Sequence, residues 1–92
     1  MTKTVRVRIK GVVQGVGFRY WMVREAEFKG LNGWVRNRAD GTVEALLSGR
    51  PAQVDALIEA CRVGPRNARV TDLTVSDVAD AVPKGFTQRP TL

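Results

Sequence analysis

From Val5 to Lys10 the chain alternates apolar and basic residues, Val5-Arg6-Val7-Arg8-Ile9-Lys10. A period of two belongs to a strand with one buried face, so Val5, Val7 and Ile9 are predicted to enter a core while Arg6, Arg8 and Lys10 face away from it. Glycines at 11, 15 and 17 interrupt the pattern. Arg19–Lys29 then supplies a helix-length segment, and Phe18, just before it, with Met22 and Ala26 recurs every four residues as a buried stripe broadened by Trp21, Val23 and Phe28. Gly30 stands where a left-handed residue ends a helix. Gly33–Arg38 reads as a strand running into an Ala39-Asp40-Gly41 turn, and Thr42–Leu47 returns antiparallel as a hairpin. Pro51 suits the first turn of a second helix, whose inner face is Val54, Leu57, Ile58 and Cys61. Gly64-Pro65 stops it, after which Arg69–Ser76 is predicted as a strand and Gly85–Arg89 as a short edge strand.

The resulting order, β-α-β-β-α-β with a short fifth strand, predicts an α+β fold of the ferredoxin-like two-layer sandwich type. At 92 residues the chain fits one domain, residues 1–92, with little room for a second core. Phe18, Trp21, Phe28, Trp34 and Phe86 are the large apolar groups expected to fill it.

Composition narrows the chemistry. Fifteen Lys/Arg against nine Asp/Glu give a net charge of +6, which favours anionic ligands without choosing among phosphate metabolites, RNA and acidic membranes. The basic residues are spread from Lys3 to Arg89 and are not gathered into a tail, which weakens a polymer-binding reading. There is no histidine, so histidine triads, histidine phosphoenzymes and imidazole metal sites are excluded. Cys61 is the single cysteine; it falls on the apolar stripe of the second helix and reads as a small core residue. Asp40 fits a local turn role, Glu25 and Glu27 fall on a helix surface, and Asp72, Asp77 and Asp80 make no convincing metal cluster. No signal-peptide or membrane-helix pattern occurs, and a soluble cytoplasmic protein is expected.

The most chemically suggestive segment is Gly11-Val12-Val13-Gln14-Gly15-Val16-Gly17-Phe18-Arg19, between the first strand and the first helix. Glycines there can turn peptide N–H groups inward, a helix start adds further free donors, and Arg19 adds a permanent forked cation. Taken alone the loop is as consistent with a tight surface turn as with an anion cradle. It carries neither a nucleotide P-loop ending nor a complete dinucleotide fingerprint. Asn37, by position alone, reads first as a residue capping the hairpin turn.

Two segments together change that reading. Ile9–Arg19 closely resembles the first acylphosphatase signature, and Gly33-Trp34-Val35-Arg36-Asn37-Arg38-Ala39-Asp40-Gly41-Thr42-Val43, followed by Gly49, resembles the second. Ala26, Gly30-Leu31, Gly64-Pro65 and the Phe86–Pro90 ending also resemble family scaffold positions. The resemblance implies an antiparallel sheet with two helices on one face, and hydrolysis of the carboxyl-phosphate bond of small acylphosphates. It implies Arg19 and Asn37 as catalytic residues and Val13, Gln14, Gly15, Val16, Gly17, Phe18 and Arg19 as the phosphate-binding set. Met22 departs from the hydroxyl residue expected near this helix start in many relatives.

Those residues permit a spare mechanism. Asn37 can accept from a water and donate to an oxygen, which places the water opposite the leaving group, while Arg19 and the loop amides hold the phosphoryl oxygens. A carboxylate, from an acid of pKa about 4, leaves without a dedicated general acid. No cofactor, metal, obligate protein partner, nucleic acid or membrane is expected. The rival reading is a non-catalytic ferredoxin-like module binding an anion, RNA or a protein; the aromatic pattern of an RNA-binding sheet is not evident. Trp34 reads as a packing residue, and Arg36 and Arg38 as surface or substrate-steering charges.

Overall fold

The structure is a computed structural model that describes all residues from Met1 to Leu92. Its elements are β1 (Lys3–Val12), α1 (Phe18–Phe28), β2 (Asn32–Asn37), β3 (Val43–Gly49), α2 (Pro51–Cys61), β4 (Arg69–Asp77) and β5 (Phe86–Gln88). They form one sheet in the order β4-β1-β3-β2-β5. The ferredoxin-like arrangement expected from the periodicities is the one found.

Pairings β1–β3, β1–β4 and β2–β3 are antiparallel, as expected, but β5 lies parallel to β2, with Gly33 opposite Phe86 and Val35 opposite Gln88. The sheet is therefore mixed at one edge. The reason is topological: the chain returns to the β2 edge from β4, on the far side of the sheet, and enters it at the Gly33 end of β2.

Alternation along β1 buries Val5, Val7 and Ile9 completely, and register places them across from Leu47, Ala45 and Val43. Phe18, Met22 and Ala26 of α1 and Val54, Leu57, Ile58 and Cys61 of α2 close over this same face. Burying such aliphatic side chains stabilises the fold by roughly 1.5–3 kcal/mol each. Pro51 occupies the first turn of α2, where its missing N–H removes no helical bond.

Two aromatic expectations need correction. Phe28 is 88% exposed; it lies two residues beyond Ala26, about 200° further round the helix, and so points away from the stripe that meets the sheet. Trp34 is nearly buried but stands outside the main core, on the sheet's outer face, where the guanidinium groups of Arg36 and Arg89 lie 4.6 and 5.1 Å from its ring centre. Trp21 is partly buried against the core and meets Phe18 edge to face at 5.3 Å.

The site-forming segment is placed by the sheet. A register shift between Lys10 and Gly11 in the β1–β4 pairing is followed, after Val12, by the chain's departure from the sheet. Val13 and Phe18, both buried in the core, fix the two ends of the loop that follows. The hairpin after β2 is closed by Arg38 N–H to Thr42 O at 2.8 Å and Gly41 N–H to Arg38 O at 3.1 Å. Asp40 Oδ1 accepts from Thr42 N–H at 3.0 Å and from Thr42 Oγ1 at 2.6 Å, the local turn role its position suggested. These bonds hold the Asp40 carboxyl below its ordinary value.

Candidate active site

Loop geometry decides what this segment offers a ligand. Gly15 and Gly17 have φ of +74° and +80°, left-handed values that cost a residue with a Cβ roughly 1–2 kcal/mol. No backbone N–H from Val13 through Gly17 donates to any protein group. The first bond of α1 runs from Trp21 N–H to Gly17 O at 3.0 Å, and no side chain caps the helix start. The N–H groups of Phe18, Arg19 and Tyr20 therefore precede the helical ladder, and loop and helix together present a run of uncommitted donors.

These donors border a cavity of about 120 Å³ lined by Val13, Gly15, Gly17, Phe18 and Arg19 from this segment, joined by Tyr20, Asn37 and Gln88. Arg19 and Asn37, brought from α1 and the end of β2, thus share one space. Of the expected phosphate-binding set, Gln14 and Val16 do not line it.

Neither principal residue is engaged elsewhere. Arg19 takes part in none of the ion pairs and none of the side-chain hydrogen bonds of the protein. Asn37 Oδ1 is buried without a hydrogen-bond partner. A buried, unpaired carbonyl oxygen costs free energy unless something donates to it, so it is an acceptor in waiting for a water or ligand hydroxyl. The hairpin-capping role that position alone suggested for Asn37 is taken instead by Asp40.

On the opposite face of the sheet, paired across the strands with Arg36, stands Glu44, only 3% exposed. It accepts from Arg36 Nε at 2.8 Å and Arg38 Nη1 at 3.2 Å, the residues on either side of Asn37, and Arg8 Nη2 lies at 3.5 Å. Burial pushes the Glu44 carboxyl up, but the Arg36 hydrogen bond and the charges of Arg36, Arg38 and Arg8 outweigh it and hold it below the usual carboxylate value. Arg36 and Arg38 are thus committed to the outer face, which argues against a substrate-steering role for them.

Sequence reasoning missed three contributors. Tyr20 and Gln88 line the cavity, and Gln88 could be placed there only once the parallel register of β5 against Val35 was known. Gln14 contributes through its side chain, which reaches Arg38 O at 2.8 Å and Thr42 O at 2.9 Å in the hairpin after β2. No cluster of three His, Cys, Asp or Glu side chains is placed to hold a metal ion. Cys61 is buried under α2, and burial, with a contribution from Glu25, pushes its thiol up to about 12.

Known proteins resemble this chain in both sequence and fold. The profile of the acylphosphatase family matches residues 5–88. A relative named acylphosphatase from Rhodospirillum rubrum is 58% identical over 90 residues, covering 98% of this chain and 99% of its own. The crystal structure of acylphosphatase from Bacillus subtilis superposes with a TM-score of 0.90 at 37% identity, covering 97% of this chain and 99% of its own. An acylphosphatase structure from Coxiella burnetii gives a TM-score of 0.92 at 31% identity, with 96% and 93% covered.

Proposed function

The chain belongs to the acylphosphatase family, and from that premise we propose that it hydrolyses small acylphosphates to a carboxylate and inorganic phosphate by direct attack of a water held by Asn37. One observation carries the reading: Arg19, the glycine loop and Asn37 border a single cavity while their polar groups remain unpaired with protein.

The chemistry follows from the donors present. The phosphoryl oxygens sit against the peptide N–H groups of Gly15, Gly17 and Phe18, which line the cavity, and the Arg19 guanidinium, which strengthen their hold as charge redistributes at phosphorus. Asn37 Oδ1 accepts a hydrogen bond from the attacking water and orients it in line with the leaving oxygen. A new P–O bond forms as the P–O bond to the acyl group breaks, the bonding pair leaves on the carboxylate, and the protons of the water end on phosphate and solvent. Because the leaving carboxylate is weakly basic, with a conjugate-acid pKa of about 4, the site needs no general acid. Arg19 and the amides supply the positive charge that a metal provides in other phosphoryl-transfer enzymes, so turnover is metal-independent. Cytoplasmic residence fits a chain whose lone thiol forms no disulfide. No helix is long and apolar enough to cross a membrane.

The test follows phosphate release from benzoyl phosphate and from p-nitrophenyl phosphate, both with EDTA present. Turnover of the first with little of the second is expected. Failure to release phosphate from any of several acylphosphates would return the chain to the non-catalytic anion-binding reading.

A further inference from the structure

An anion-binding loop faces a mechanical difficulty of its own. Its peptide N–H groups must stay free for the ligand, and Val13–Gly17 donates none of them to protein. A segment whose main chain makes one bond, Gly17 O accepting from Trp21 N–H, is easily displaced relative to its surroundings, whereas in-line attack on phosphorus requires water and phosphoryl group in a fixed relation. Something other than the backbone has to tie the loop to the strand that carries Asn37.

The side chain of Gln14 makes that connection. Its Nε2 donates to Arg38 O at 2.8 Å and to Thr42 O at 2.9 Å. Both partners are carbonyl oxygens, so only the NH2 end of the amide can face them and its orientation is settled by chemistry. The same two carbonyls accept Gly41 N–H and Arg38 N–H, which makes them the closing base of the β2–β3 turn, and Asn37 is the residue immediately before it. No other hydrogen bond joins residues 13–17 to this hairpin. The amide thus uses both its hydrogens to hold the loop while leaving every loop N–H available.

We propose that Gln14 is a positioning residue whose side chain registers the phosphate loop against Asn37. It sets the distance between the bound phosphoryl group and the water-holding amide, and it acts on turnover and not on phosphate affinity. The inference rests on the reading of Asn37 given above.

Gln14→Met keeps the length of the side chain and removes both donors. With benzoyl phosphate its kcat is expected to fall about tenfold or more, since displacements near 1 Å cost up to about a hundredfold. Competitive inhibition by inorganic phosphate should stay within about threefold of wild type, because Arg19 and the loop donors remain. In an Asn37→Ala background the same substitution should change kcat by less than about twofold, the residue through which it acts being absent. A similar loss in both backgrounds, or wild-type kcat in folded Gln14→Met, would overturn the proposal. Should Gln14→Met fail to fold, wild-type protein still decides: the Gln14 side-chain NH2 should exchange slowly with D2O by NMR, and exchange at the rate of an exposed glutamine would remove the tether. Full turnover by Asn37→Ala alone would count against the water-positioning reading itself, separately from these outcomes.

Discussion

Arg19 and Asn37 line one cavity, and the side chain of neither is satisfied by another protein group. In the proposed mechanism the two groups act at different stages: Arg19 would contact the phosphoryl oxygens from the moment of binding, and Asn37 only the attacking water. Asn37→Ala should therefore lower kcat by about a hundredfold to a thousandfold, the range for loss of one well-placed transition-state hydrogen bond, with inorganic phosphate inhibiting as in wild type. Arg19→Lys, which keeps the charge and loses the fork, should raise KM and lower kcat together. Steady-state kinetics with phosphate as competitive inhibitor check the split, and equal effects on phosphate binding from both variants would contradict it.

Much of this arrangement was legible in the sequence because it rests on local patterns. The period-two run of Val5, Val7 and Ile9 and the four-residue spacing of Phe18, Met22 and Ala26 each identify a buried face, and the structure buries all six. The glycine loop and Asn37 were visible through their resemblance to two known signatures. What escaped depends on partners distant along the chain. The side chain of Gln14 finds its acceptors 24 and 28 residues away, and Gln88 reaches the cavity through a parallel pairing. Glu44 illustrates the point most sharply: alternation places it on the outer face of β3, and only the convergence of arginines from β1, β2 and the turn explains why it is buried there.

That convergence has a pH signature. The folded-state pKa of Glu44 is below its ordinary value of 4.5. Its contribution to stability is thus complete above the unfolded carboxylate value and is lost as pH falls through the lower folded one. Glu44→Gln removes the charge that the arginines share, and should destabilise the protein by about 2 kcal/mol near neutral pH, within the range for charged hydrogen bonds. It should also flatten the decline in stability below the ordinary carboxylate range. Urea unfolding at a series of pH values measures both, and an unchanged acid limb would show that Glu44 carries no such linkage.

Gly15 tests the loop by backbone alone. A Cβ added there meets nothing within 4 Å, so Gly15→Ala introduces no clash and only the cost of a left-handed φ, roughly 1–2 kcal/mol. A modest fall in Tm is expected, with weaker inhibition by inorganic phosphate as the loop relaxes and its N–H groups turn from their common focus. Unaltered phosphate inhibition at reduced Tm would separate the glycine's structural role from anion binding.

Cys61 lies at the far end of α2, buried completely among Val54, Leu57 and Ile58 in the common core. With its thiol pushed up to about 12, the reactive thiolate is a negligible fraction near pH 8, and burial denies reagents access. Ellman's reagent should leave the native protein unmodified at that pH and label it fully in urea, with labelling between these limits following the unfolding curve. Cys61→Ala should preserve kcat and KM for acylphosphate hydrolysis while lowering stability by about 1 kcal/mol through loss of the buried sulfur's contacts. Rapid labelling of folded, active protein would instead place the sulfur in solvent and reopen the inner face of α2 as a reactive surface.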